Sequence, residues 1–283
     1  MTEGQTAARR QTLIGDCAAA FLLLSRFPTG WHVFPADKPP NFTSALWAFP
    51  LVGLVIGACG GLIFLAATAL SLPPLMAAAL ALLATMLLSG GMHEDGLADM
   101  ADGFGGGKDV ESRIRIMHDS RIGSYGVMAL ILASLARVGL LMAAALHATG
   151  LTLVLLLALV YAAARFLPVF QLSIIPVSPH ARLASLTGNG GVWRAVTGLI
   201  VWAVPLIIAF GWQVAIPAAA LSCFLAVIIA RMALRRVAGL TGDVMGATIL
   251  LGEITILAGC LMTWELLALP IPMMAFVAGM VGT

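Results

Sequence analysis

From residue 39 to residue 93 the chain carries no Asp, Glu, Lys or Arg, and between Arg121 and Arg182 only Arg137 and Arg165 break the apolar sequence. Uncharged runs of that length leave few folds open. About 20 apolar residues carry a helix across a bilayer, since about 30 Å of hydrocarbon is covered at about 1.5 Å per residue. Charged residues make up 10% of the 283, against about 25% in ordinary soluble domains. An all-α fold is expected, a polytopic membrane helical bundle forming one domain. Strand-like alternation is absent, and open sheet edges are not tolerated in lipid. Seven transmembrane helices are expected near 44–70, 73–91, 124–147, 151–176, 195–211, 213–231 and 246–266. The tail 267–283, broken by Pro270 and Pro272, reads as an eighth span or a frayed end. The polar start and the short apolar run at 17–24 read as an N-terminal amphipathic helix, on the surface or packed in the bundle, and not as a cleavable signal. Cys17, Cys59, Cys223 and Cys260 show no metal spacing and read as small apolar packing residues.

Alternating the seven spans places the turns 71–74, 148–150 and 211–212 on one face, without a charged residue among them. The N-terminus and 92–123, 177–194 and 232–245 fall on the other, with Arg9, Arg10, Arg26, Lys38, Lys108, Arg113, Arg115, Arg121, Arg182, Arg194, Arg235 and Arg236. By the positive-inside rule that second face is cytoplasmic. Nothing in the sequence points to a nucleic-acid partner, and it does not give the oligomeric state.

Seven of the thirteen acidic residues lie between 92 and 126: Glu94, Asp95, Asp99, Asp102, Asp109, Glu111 and Asp119. Asp95, Asp99 and Asp102 are spaced i, i+4, i+7, so on a helix extending the second span they share one face. Their mutual repulsion calls for a positive partner, and Mg²⁺, which favours carboxylate oxygen and shares its shell with substrate phosphates, is the candidate. A solvated acidic turn paired with arginines is the alternative. Gly103, Gly105, Gly106 and Gly107 are expected to end the helix, as a phosphate-binding loop or a hinge. After them, Asp119 is able to join a metal shell and Arg121 offers a fork suited to phosphate, while Asp119 or Ser120 is equally able to cap the next helix. His93 and His118 are acid–base candidates or merely solvated. Arg137 and Arg165 lie deep in their spans, where a charge marks a functional site by default. Pairing of Arg165 with Glu253 is the structural alternative. Asp243 lies on the same face, beside Arg235 and Arg236.

The stretches HEDGLADMADG at 93–103 and MHDSRIGSYG at 117–126 resemble the cobalamin synthase family, the adenosylcobinamide-GDP ribazoletransferases. RFP at 26–28, FPLVG at 49–53 and TGD at 241–243 support the likeness in the same order. The resemblance implies a Mg²⁺-dependent transferase that joins α-ribazole, or its 5′-phosphate, to adenosylcobinamide-GDP and releases GMP. In that reading Glu94, Asp95, Asp99 and Asp102 hold Mg²⁺. Asp119, Arg121 and Asp102 are the catalytic candidates. Arg165, Arg137, Gly103, Gly105, Gly106, Ser120 and Asp243 contact substrate. A fainter likeness points to CDP-alcohol phosphotransferases, although Gly106 and Gly107 stand where that motif requires Ala-Arg. A secondary transporter with Arg137, Arg165 and Glu253 along a path is the non-enzymatic alternative.

Overall fold

The computed structural model describes residues 12–28, 34, 40–181, 186–188 and 191–267. Arg9, Arg10, Lys38, Arg182 and the proline-broken tail lie outside the described residues. The chain runs through α1 (Leu13–Leu24), α2 (Phe42–Ala45), a 3-10 turn, α3 (Phe49–Ala69), α4 (Pro74–Ser89), α5 (Met92–Gly106) and α6 (Val110–Met117). It continues through α7 (Ser124–His147), α8 (Leu151–Ile174), α9 (Val192–Phe210), α10 (Trp212–Val237) and α11 (Gly242–Leu267). Six of these segments are long and apolar enough to cross a membrane: α2 with α3, and α7 to α11. Counting α4 and α5 together as one bent pair makes a seventh. Among the described residues the only β pairing is an isolated bridge between Val177 and Leu240.

The second span departs from expectation. The acidic helix α5 does not prolong α4 but turns from it by 88°. Gly90 and Gly91 make the turn, with φ of 72° and 70°, the left-handed region that glycine enters without strain. Their N–H groups close α4 by bonding Leu87 and Met86 carbonyls at 3.2 and 2.9 Å. Four acidic residues in 15 disqualify α5 from crossing lipid by itself, and the turn lays it along α7 and α11 instead. The amphipathic α1 is packed into the bundle, with Ala18, Ala19, Ala20 and Leu24 buried.

At the centre stands α8, of which 89% of the spanning window is buried. Helix α3 lies directly on it along Gly53, Gly57 and Gly61. A Cβ on Gly53 would stand 2.6 Å from Ala162 Cα, and one on Gly61 2.7 Å from Val154 Cα. Small residues at four-residue spacing let two helix backbones approach in lipid, where dispersion contact replaces the hydrophobic effect as the driving force. Gly252 brings α11 against Ala164 of the same helix. Cys260 is buried and the other three cysteines are partly buried; none is bonded to another.

Candidate active site

Asp102 is buried, and both its oxygens are taken by backbone. Oδ2 accepts from Gly123 N–H at 2.7 Å and Oδ1 from Gly126 N–H at 2.9 Å. Gly123 precedes the first residue of α7, so this carboxylate satisfies two of the donors that a helix start leaves open. A Cβ on Gly126 would overlap Asp102, which explains the glycines of the 117–126 stretch. Asp102, expected to be a metal ligand and a catalytic group, thus also anchors the start of α7, each oxygen accepting one backbone bond and keeping a lone pair.

Glu94 is also engaged. Arg137 Nη1 bonds its Oε1 at 2.8 Å, and Arg137 Nη2 lies 2.8 Å from Glu253 Oε2. The second oxygen of Glu253 accepts from Arg165. Arg137 Nη2 also donates to Tyr161 Oη at 3.0 Å, and the Tyr161 hydroxyl donates in turn to Thr85 Oγ1 at 3.1 Å. Side chains from α4, α5, α7, α8 and α11 are joined in this way inside the bundle. Arg165 is 1% exposed, with its guanidinium 4.8 Å above the Tyr161 ring. Arg137 and Arg165, expected to contact substrate, are both enclosed and paired, and the Glu253 pairing expected as the alternative for Arg165 is present.

Asp95 is exposed, Asp99 half-buried, and Asp243 reaches them from the first turn of α11. The approach is possible because Gly96 has no side chain: a Cβ there would lie 3.0 Å from Asp243 Cα. Partial burial, then the charges of Asp95, Asp243 and Asp102, push the Asp99 carboxyl up to about 7. Asp119 and Arg121 form a local fork outside the bundle, Nη2 to Oδ2 at 2.9 Å and Nε to Oδ1 at 3.2 Å. The side-chain hydrogen bond from Arg121 holds the Asp119 carboxyl below the usual range, which makes it a weak proton acceptor. Ser120 beside it is exposed.

The glycine run is not a loop, since α5 continues to Gly106. Gly103 packs on Met117 and makes the α5–α6 hairpin tight, while a Cβ on Gly105 would lie 2.7 Å from the Tyr125 ring, so that glycine admits α7. Gly106 is exposed. An Asp109–Ser112 capping box starts α6. Arg236 then pins the hairpin to α10 by donating to Phe104 O with its guanidinium 5.4 Å from the Phe104 ring.

Between these elements opens a cavity of about 250 Å³. Asp95, His93, His118, Asp243 and Thr241 line it, together with Phe49 from the start of α3 and Leu24 from the end of α1. Segments far apart in sequence thus meet at one place. His180 and Thr187 join them from the α8–α9 connection and carry no sequence signal of their own.

The family model described as cobalamin-5-phosphate synthase matches residues 16–261. The chain belongs to that family. A protein of Bradyrhizobium diazoefficiens named adenosylcobinamide-GDP ribazoletransferase is 38% identical over 247 residues, covering 87% of this chain and 93% of its own. Proteins of the same name from Azorhizobium caulinodans and Mesorhizobium japonicum are 38% and 35% identical, covering 89% of this chain in each case and 97% and 94% of their own. No solved structure matches it. Membership of the synthase family sets the CDP-alcohol phosphotransferase and transporter alternatives aside.

For this synthase-family site the chemistry of the donor set suits a hard cation. Asp95, Asp99 and Asp243 offer carboxylate oxygens close enough to oppose one another's charge. Among the described residues no three His, Cys, Asp or Glu side chains are placed to hold a metal ion by themselves. Mg²⁺ does not need one, because it is held by one or two carboxylates with water and substrate phosphate completing the shell.

Proposed function

We propose that the chain joins α-ribazole, or its 5′-phosphate, to adenosylcobinamide-GDP. The convergence of the 49–53, 93–103, 117–126 and 241–243 stretches on one cavity carries this reading. The oxygen of a ribose hydroxyl attacks the phosphorus nearer the cobinamide. The bond from that phosphorus to the GMP phosphate breaks, GMP leaves with the electron pair, and a phosphodiester remains. The hydroxyl proton passes to a carboxylate of the acidic face. Catalysis of such a transfer is mainly positioning and charge neutralisation. Asp95 and Asp99, with Asp243 beside them, would hold Mg²⁺, whose charge offsets that of the donor pyrophosphate. Arg121, 88% exposed and held by Asp119 on its Nε–Nη2 edge, would turn its remaining guanidinium N–H groups to phosphate oxygens outside the cavity. Arg26, Arg113 and Arg236 lie against α5 or its flanking turns, and the positive-inside rule then supports a cytoplasmic site in the bacterial inner membrane.

The test is GMP release from adenosylcobinamide-GDP and α-ribazole by detergent-purified protein, with Mg²⁺ and with EDTA. Mg²⁺-dependent GMP matched by a new cobamide is expected, and Asp99→Asn should lower the rate by about 10² to 10³, the range for losing one group that stabilises developing charge. Folded protein that releases no GMP with either acceptor form removes the reading.

A further inference from the structure

The cavity is graded from end to end. Its floor is Leu24, Phe49, Pro168, Met245 and Ile249, all buried. At its mouth Asp95, His118 and His180 are exposed and Asp243 is half-buried. Ile249 and Asp243 stand on the same helix six residues apart, so the polar-to-apolar gradient runs over about 9 Å. A volume of about 250 Å³ lies just under the range of about 300–1,000 Å³ that encloses drug-sized molecules. A corrinoid is far too large to enter. A two-ring aromatic base is not.

The floor chemistry favours an aromatic guest over an alkyl chain. Met245 with Met92 offers thioether sulfurs, which contact ring edges favourably, and Phe49 offers a ring. The mouth chemistry favours hydroxyl donors, because Asp95 and Asp243 only accept when ionised. We propose that this cavity is the acceptor subsite: it takes the aromatic base of the ribazole into its apolar floor and leaves the ribose at Asp95 and Asp243. The donor then approaches from the exposed side, where Arg121 stands. This assignment rests on the transferase reading above.

The discriminating experiment fills the floor and watches the two Michaelis constants separately, in the full-length detergent-purified protein. Met245→Phe should raise KM for α-ribazole at least tenfold while KM for adenosylcobinamide-GDP stays within twofold. Ile249→Ala, which enlarges the floor and decides the matter should the first variant not fold, should improve use of α-ribosides bearing a bulkier base relative to α-ribazole. Equilibrium dialysis of α-ribazole without donor should show binding to wild type and at least tenfold weaker binding to Met245→Phe. An active wild type whose folded variants change only the donor KM, or neither constant, overturns the subsite and leaves the transferase reading standing. α-Ribazole binding that ignores Met245→Phe, with a co-purified phospholipid lost from that variant, assigns the floor to an acyl chain and also overturns it. A wild type that turns over neither acceptor form removes both.

Discussion

Two carboxylates eight residues apart show how burial redirects a side chain that the sequence marks as chemical. Glu94 and Asp102 lie in the same acidic stretch as Asp95 and Asp99, yet one is paired with Arg137 and the other with the start of α7. Asp102→Ala leaves the N–H groups of Gly123 and Gly126 without their acceptor, at about 1–3 kcal/mol for each buried donor. A lowered melting temperature in differential scanning fluorimetry is therefore expected, not only a loss of turnover. Breaking the internal network should cost more. Arg137→Ala leaves Glu94 without its cation and Glu253 with Arg165 alone, and removing one partner of a buried ion pair costs about 3–5 kcal/mol. Asp99 behaves differently. Its carboxyl titrates at about 7 in the metal-free protein, so protons and Mg²⁺ compete for it in the neutral range. Below that value the protonated form dominates and binds cations poorly. The Mg²⁺ concentration giving half-maximal rate should be about tenfold higher at pH 6 than at pH 8. An unchanged requirement across that range would exclude Asp99 from the metal shell. None of this division of labour is visible in spacing, because Glu94, Asp95, Asp99 and Asp102 differ in what surrounds them and not in type.

Among the elements, the joint between α4 and α5 sets the geometry of the site. The left-handed Gly90 and Gly91 allow the chain to leave α4 and lay the acidic face against α7 and α11. Gly90→Ala should destabilise the protein by about 1–2 kcal/mol from the left-handed backbone alone, and the added methyl collides with the Arg26 side chain. Circular dichroism melting of Gly90→Ala beside wild type measures it. The sequence marks glycines at both ends of α5 but does not separate their uses. Gly90 and Gly91 turn the chain, Gly96 admits α11, and Gly103 and Gly105 admit neighbouring side chains. The Gly53, Gly57 and Gly61 ridge of α3 was equally legible as letters and equally mute as to partner, since only α8 presents a backbone close enough to need it.

For the molecule as a whole, the expected alternation of faces leads to a test independent of catalysis. The exposed Ser120 precedes α7 and the exposed Thr149 follows it, so a 24-residue helix separates them by about 36 Å. With the four native cysteines replaced, Ser120→Cys should react with an impermeant maleimide only from the cytoplasmic side, and Thr149→Cys only from the other. Labelling of both from one side would invert or break the proposed topology.

Composition alone determined that the chain is a helical membrane bundle, because long uncharged runs have no other way to satisfy their backbone in lipid. The acidic stretch also marked the candidate site, since charge so concentrated needs compensation. Tertiary structure alone decided which charges are compensated from within. Arg137 and Arg165, isolated in sequence, find Glu94 and Glu253 across four helices, while Asp95, Asp99 and Asp243 oppose one another's charge, Asp95 and Asp243 beside an open cavity. Partners separated by up to 148 residues, as Asp95 and Asp243 are, meet only when packing fixes the helices. No local spacing encodes that meeting.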